Sequence, residues 1–430
     1  MIGILGGGFS GLSLAYLYKG KSEILETETT IGGHCRSHTK AGFRFDEGGH
    51  ILFSRNPALL ERLLSILGTN VSQHYRNNKI WFKKRFVKYP FENGLGDLEK
   101  EDIYDCLINY LQNDYPKPSN FREWIYYTFG KGIAEKYLIP YNEKVWKTDL
   151  AQIAINWAGA RIPRPLTEDI IKSALGISTE GYTHQLNFYY PLHGGIQALP
   201  DSLASAIKSK CSIVTGFKVE HVRKTSDGWS VSNGKQIRHY EKLICTIPVQ
   251  ELLRSMEKVS IDIMNAVNKL CYNPSLFVMI GLADCIAKDI TSVYFPDPSL
   301  PFHRVGFPHS YDSECAPDGK FVAAAEISCP GENGRWLWDE EKVVHEVVDG
   351  LSKEGFLRRS DIITTSVARE RYSYVVYDNN HKSSIETVRS FIRGLGTELL
   401  GRFGEFEYWN LDQCFDSAIK LADRLNRIDK

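Results

Sequence analysis

Ile2-Gly3-Ile4-Leu5-Gly6-Gly7-Gly8-Phe9-Ser10-Gly11 is the stretch on which the fold turns. A short apolar strand runs straight into glycines and then into a helix, the layout that seats the diphosphate of a dinucleotide. Gly6 permits the tight turn, Gly8 lets backbone approach phosphate, and Gly11 lets helix and strand pack closely. Phe9 and Ser10 start the helix, whose first N–H groups are unpaired and whose dipole is positive at that end. A second strand, Ser22-Glu23-Ile24-Leu25, ends at Glu26. It lies about twenty residues after Gly6, where a carboxylate accepts hydrogen bonds from ribose hydroxyls. A neutral ribose is therefore favoured over a 2′-phosphate.

A chain of 430 residues with 43% hydrophobic content can bury large cores and suggests two or three domains. With 52 basic and 52 acidic residues the formal charge is zero, so there is no global field to recruit nucleic acid or an acidic membrane. An anionic ligand must be met by individually placed arginines. The nine cysteines contain no CxxC pair, which argues against a structural zinc, any other metal centre of that kind, and a disulfide framework. No apolar run reaches membrane-spanning length and no signal peptide is recognisable, so a cytoplasmic protein without stable membrane insertion is expected.

Residues 1–75 read as strand, helix, strand and a glycine-bearing loop, the first part of a nucleotide-binding domain. Residues 76–97 hold an alternating basic and aromatic run, Asn78 to Tyr89, expected to form a hairpin with a solvated cationic face. Residues 98–185 are expected to be a helical insertion, with Ile103, Leu107 and Leu111 near one face. Residues 186–255 return to the nucleotide-binding layer: strand, Gly194-Gly195 turn, helix, then strands at Cys211–Val214, Phe217–Val222, Gly228–Val231 and Leu243–Pro248. Residues 256–385 carry runs such as Phe277–Ile280 and Phe321–Ala325 that predict an antiparallel sheet. Residues 386–430 complete the core through a helix whose Phe415, Ala418, Ile419, Ala422 and Leu425 form one stripe.

A second glycine cluster follows Glu26: Ile31-Gly32-Gly33-His34-Cys35-Arg36, then Phe45-Asp46-Glu47-Gly48-Gly49-His50. With Thr246-Ile247-Pro248 it resembles the flavin-binding core of the amine-oxidase and protoporphyrinogen-oxidase superfamily. The resemblance implies an α/β fold, an FAD-binding Rossmann-type core interleaved with a helical domain and an antiparallel substrate sheet. It places Gly33, His34 and Arg36 by the diphosphate, Val219 by adenine, and Gly48, Gly49 and His50 along the isoalloxazine. Glycine suits backbone against a planar ring, and guanidinium pairs bidentately with phosphate.

Six ordered blocks carry a closer likeness: Gly48–Ser54, Tyr89–Asn93, Pro140–Trp146, Trp157–Arg161, Pro301–Arg304, and Gly401–Gly404 with Tyr408. They resemble the UDP-galactopyranose mutase family, in its eukaryotic-type branch. In that family Arg402 meets the flavin's diphosphate or ribityl chain, and a helix beginning near Asp412 points at the pyrimidine end. The implied reaction interconverts pyranose and furanose forms of a nucleotide-diphosphate sugar for polysaccharide biosynthesis, with N5 of reduced FAD as nucleophile on the anomeric carbon. NAD(P)H or another reductant would visit transiently. The resemblance assigns catalytic roles to His50, Arg161, Arg304, Tyr377 and Tyr408, the two arginines and two tyrosines gripping the diphosphate. It assigns substrate contacts to Phe53, Tyr89, Asn142, Trp146 and Tyr294.

Three departures bear on the substrate. Ser292 stands where the pattern has tryptophan, and Glu92 stands where it has glutamine and would repel a phosphate. Two asparagines of the pattern fall on Gln185 or Asn187, and on Asn410 or Asp412. UDP-galactose is the default and another nucleotide sugar is left open, as is a homo-oligomer. The alternative is an FAD-dependent oxidoreductase of the protoporphyrinogen-oxidase or amine-oxidase type.

Overall fold

The computed structural model describes residues 1–181 and 183–428; Tyr182, within the expected helical insertion, and residues 429–430 lie outside the described residues. Five parallel strands form the first sheet, in the order Glu398–Leu399, Lys242–Cys245, Ile2–Leu5, Ser22–Leu25, Cys211–Val214. Ile4 sits opposite Ile244 on one side and Ile24 on the other. These central strands read as unbroken apolar runs because both faces are covered. The helices Phe9–Leu17, Ala198–Ile207 and Leu411–Ile428 pack on one face through Leu12, Leu203, Phe415 and Ala418. The other face meets a three-stranded meander and the helices Val249–Ser255 and His381–Gly394, with Trp229, Leu252 and Val388 at the centre.

The second sheet has seven strands, ordered Ile362–Val375, Tyr272–Leu282, Phe321–Ser328, Arg304–Gly306, Ser292–Tyr294, Asn78–Phe82, Arg85–Lys88. It is antiparallel except where Ser292–Tyr294 runs parallel to Asn78–Phe82. Alternation along the long second strand divides its side chains: Leu276, Val278 and Ile280 pack beneath the helix Glu340–Lys353, while Phe277 and Met279 face a cleft. The helices Lys100–Leu111, Phe121–Ile133 and Ile139–Trp146 close the cleft from the far side. The glycine turn, both sheets and the C-terminal helical stripe form as the sequence reading expects, and the α/β class holds.

Three local expectations are corrected. The strand expected at Phe217–Val222 begins only at His221, because Phe217 N–H is already committed to Glu26 O, outside the meander. Ile103 and Leu107 pack against the core of the helical insertion, as expected, but Leu111 is 51% exposed; the buried positions of the helix are Asp102 and Cys106, since Asp102 turns inward to take Lys83 (2.6 Å) and Lys136 (3.7 Å). The hairpin's cationic face is accordingly not simply solvated. Besides Lys83, Arg85 pairs with Glu99 and Lys88 with Glu180, tying the hairpin to the helical insertion. All nine cysteines are free and all but Cys271 are buried. Among the described residues no helix is long and apolar enough to cross a membrane.

Candidate functional site

Gly6 takes φ +103°, and a Cβ there would stand 2.5 Å from Thr246 Oγ1. A Cβ on Gly11 would lie 2.1 Å from Gly6 O, so only glycine lets this helix approach its strand. Gly8 differs: a Cβ would meet nothing closer than Gly33 Cα at 3.7 Å, leaving an open approach to its backbone. No side chain caps the helix that Phe9 and Ser10 begin. Glu26 is fixed at the strand's end, accepting from Gly7 N–H (2.6 Å) and Glu28 N–H (2.9 Å). Gly32 N–H donates to Gly7 O at 2.9 Å, which brings the second glycine cluster against the first. Val219 is partly buried against the second core just beyond Glu26.

Arg36 has acidic company. Its Nε donates to Glu47 (2.9 Å) and its Nη2 lies 3.5 Å from Glu370, which also sits 3.4 Å from His34 Nδ1. Burial, followed by the charges of Arg402 and Arg36, lowers the His34 pKa to about 4. Burial and then the neighbouring His34, Arg402 and Arg304 lower that of His50 to about 3. Both imidazoles are neutral near pH 7.

A cleft of about 750 Å³ opens beside Gly48 and Gly49. Its wall brings together Phe53, Tyr89, Asn142, Trp146, Arg161, Tyr294, Arg304, Tyr377, Tyr408 and Asp412. Arg304 lies against the Gly48–Gly49 loop, 3.2 Å from where a Cβ on Gly49 would be. It is also paired: Nε (2.9 Å) and Nη2 (2.5 Å) both donate to Glu326 Oε2. Burial alone would raise the Glu326 pKa, but Arg304 and then His303 outweigh it and hold it at about 2. Arg161, at the end of the short helix Ala158–Arg161, has no carboxylate partner among the described residues. Its guanidinium lies over the Tyr408 ring, 3.9 Å from the centroid, with Arg402 over the same ring at 4.4 Å.

Other wall residues are held by one another. Trp146 Nε1 donates to Asn142 Oδ1 (3.0 Å), and Asn142 Nδ2 to Leu138 O (2.7 Å), so both are spent within their own helix. Tyr89 and Tyr294 stack at 4.7 Å, and Asn78 donates to the Tyr294 hydroxyl at 3.3 Å. The Tyr377 hydroxyl donates to Glu407 (2.8 Å) and accepts Tyr408 N–H (2.8 Å). Glu92 is not in the wall. It is buried in the turn Phe91–Asn93, where burial raises its pKa to about 7, so the repulsion of a phosphate expected from it has no geometric basis. Of the alternative positions, Gln185, Asn410 and Asp412 line the cleft and Asn187 does not.

The sequence reading passed over Arg76, Tyr141 and Glu326, all cleft residues. Arg76 is buried beside Phe53 with a neutral partner, Gln185 (2.7 Å), and burial lowers its pKa. Tyr141 stood inside the quoted Pro140–Trp146 block. Glu326 had a signal too, as a lone carboxylate in the otherwise small and apolar run Phe321–Ser328.

The residues fit a flavin. His50 Nδ1, Arg402 Nε and Asp412 Oδ1 are buried without a hydrogen-bond partner, and all three belong to residues the sequence places on the cofactor. Such atoms cost about 1–3 kcal/mol each unless a ligand satisfies them. Arg402 is oriented by its other nitrogens, which donate to Trp409 O (3.0 Å) and Ser373 O (2.5 Å). Asp412 lies in the first turn of Leu411–Ile428 and accepts from Ser54 at 2.8 Å.

Comparison with known proteins agrees with that fit. Residues 4–67 match the family model of the NAD(P)-binding Rossmann-like domain, and residues 152–353 that of the flavin containing amine oxidoreductases. Among solved structures the chain is similar to a reduced UDP-galactopyranose mutase, with a TM-score of 0.90 at 23% identity over 99% of this chain and 95% of that one. It is similar also to a protein from Exiguobacterium sp. 255-15 provisionally described as a protoporphyrinogen oxidase (TM-score 0.79, 16% identity, 100% and 99% covered). An engineered putrescine oxidase gives a TM-score of 0.67 at 14% identity, with 100% and 99% covered. The chain is thus a flavin-dependent enzyme, and FAD is its cofactor.

Proposed function

We propose that the protein interconverts the pyranose and furanose forms of a nucleotide-diphosphate sugar. The observation that carries this reading is that Arg161 and Arg304 share one cleft wall, with Arg304 against Gly49. Two guanidiniums that converge on a cavity suit a doubly anionic leaving group, which an amine or porphyrinogen oxidase has no use for. The UDP-sugar reading is supported by the shape shared with the mutase.

When bound in its reduced state, FAD supplies a nucleophilic nitrogen for the anomeric carbon. The chain's part is to bind, orient and neutralise. Arg161 meets the diphosphate as a cation with no carboxylate partner among the described residues. Arg304 contributes Nη1 and the second hydrogen of Nη2, since Nε and one Nη2 hydrogen are taken by Glu326. The stacked Tyr89 and Tyr294 offer an aromatic platform for base or sugar. His50, neutral near pH 7, hydrogen-bonds at the ring edge through the nitrogen that has no partner within the protein. The reduced flavin requirement makes a transient electron donor necessary.

The test is to incubate dithionite-reduced holoprotein with a panel of nucleotide sugars and assay furanose products, beside the oxidised protein. Furanose formed only by the reduced protein supports the proposal. The second reading, an oxidase, draws on the likeness to the Exiguobacterium protein and to the matched family model. It would be marked by turnover of the oxidised protein with release of hydrogen peroxide and no furanose.

A further inference from the structure

We infer that Glu407 is a positioning residue for Arg161, acting through Tyr377 and Tyr408; this rests on the reading of the cleft as a diphosphate site. Arg161 has no hydrogen bond or ion pair among the described residues, so the Tyr408 ring is what fixes its place. That ring also carries Arg402, which backbone carbonyls hold in place, so for Arg161 the position of the ring is what matters. The ring is held by a chain of three hydrogen bonds. Arg389 donates to Glu407 Oε1 (2.7 Å), Tyr377 donates to Glu407 Oε2 (2.8 Å), and Tyr408 N–H donates to the Tyr377 oxygen (2.8 Å). His381 packs against the Tyr377 ring at 4.3 Å, tilted by 56°, and is itself tied to Phe406 O at 2.9 Å, which leaves the phenol little freedom to turn.

The consequence is specific. With one proton and a carboxylate acceptor 2.8 Å away, the Tyr377 hydroxyl donates to Glu407 and offers Tyr408 N–H a lone pair. The Tyr377 hydroxyl is therefore a support for the anion-gripping pair, while the phosphate meets Arg161. Glu407 does not line the cleft. Arg389 lines an adjoining cavity of about 460 Å³ and also donates to Glu405 O, so neither side chain lines the cleft itself.

The experiment titrates UDP into FAD-loaded wild-type protein and into Glu407→Gln, Arg389→Gln, Tyr377→Phe and the Glu407→Gln/Tyr377→Phe double variant. The expected result is a loss of UDP affinity of about tenfold in Glu407→Gln, a smaller loss in Arg389→Gln, and no further loss in the double variant beyond Tyr377→Phe, because neighbours in one network are not additive. FAD content unchanged across the set excludes gross misfolding. If Glu407→Gln does not fold, Arg389→Gln decides alone. Variants that bind UDP as wild type does, or losses that add, overturn the relay and leave the proposed function standing. A wild-type protein that ignores UDP overturns the proposed function and the relay with it.

Discussion

Arg304 and Arg161 differ at the level of single residues, and the difference is measurable. Removing Arg304 leaves the buried Glu326 charge without its partner, and breaking such a pair costs about 3–5 kcal/mol. Arg304→Ala is therefore expected to lower the melting temperature by several degrees as well as weaken nucleotide binding, at about 1 °C per kcal/mol for a chain of this length. Arg161→Ala has no carboxylate to strand and is expected to weaken nucleotide binding at least tenfold with little thermal change. Parallel melting and UDP-titration curves separate the two. Glu92 gives a prediction of its own. Its folded-state pKa, about 7, lies above the usual carboxylate range, so its burial penalty is full above pH 7 and is relieved as pH falls through 7 toward 4.5. Glu92→Gln should raise the melting temperature at pH 8, and the gain should vanish by pH 5. A gain that grows on acidification would contradict the assignment. These pairings were illegible in the sequence for a common reason: Glu326, Glu407, Glu47 and Glu370 are local strangers to the residues they bind, delivered by strand register and loop closure.

At the scale of elements, the glycine turn was the most legible part, since what it needs is encoded within ten residues. Its glycines nevertheless do different work, and substitution should show it. Gly11→Ala drives a Cβ into Gly6 O and is expected to give a poorly folded protein without the flavin absorbance near 450 nm. Gly8→Ala has room within the protein and is expected to give a folded chain, melting near wild-type apoprotein, that binds FAD at least tenfold more weakly because the added methyl stands where phosphate approaches. The long strands of the second sheet were legible through β-branched and aromatic runs. The segment at Phe217–Glu220 was not, because its pattern is strand-like while Phe217 N–H is claimed by Glu26 O, from elsewhere in the fold. Helix Lys100–Leu111 misled for the complementary reason: an acidic residue faces inward when lysines of a hairpin and a neighbouring helix meet it there.

Across the whole molecule, the cleft exists because three distant segments converge: the loop at Gly48–Gly49, the helix ending at Arg161, and the strand opening at Arg304. Composition foretold the need for this. A chain of zero formal charge attracts an anion only where guanidiniums are concentrated, and here Arg55, Arg76, Arg161 and Arg304 line one cavity, Arg76 and Arg161 having no carboxylate partner among the described residues. The identity of the sugar was not legible, since Ser292 and the aromatic wall speak to shape and not to one hydroxyl pattern. The diphosphate is the part the geometry addresses. Calorimetric titration of FAD-loaded protein with UDP and, separately, with uridine isolates that contribution. Two charge-assisted contacts at about 1.5 kcal/mol or more each predict that UDP binds about 100-fold tighter than the nucleoside; equal affinities, or no heat with either, would contradict it.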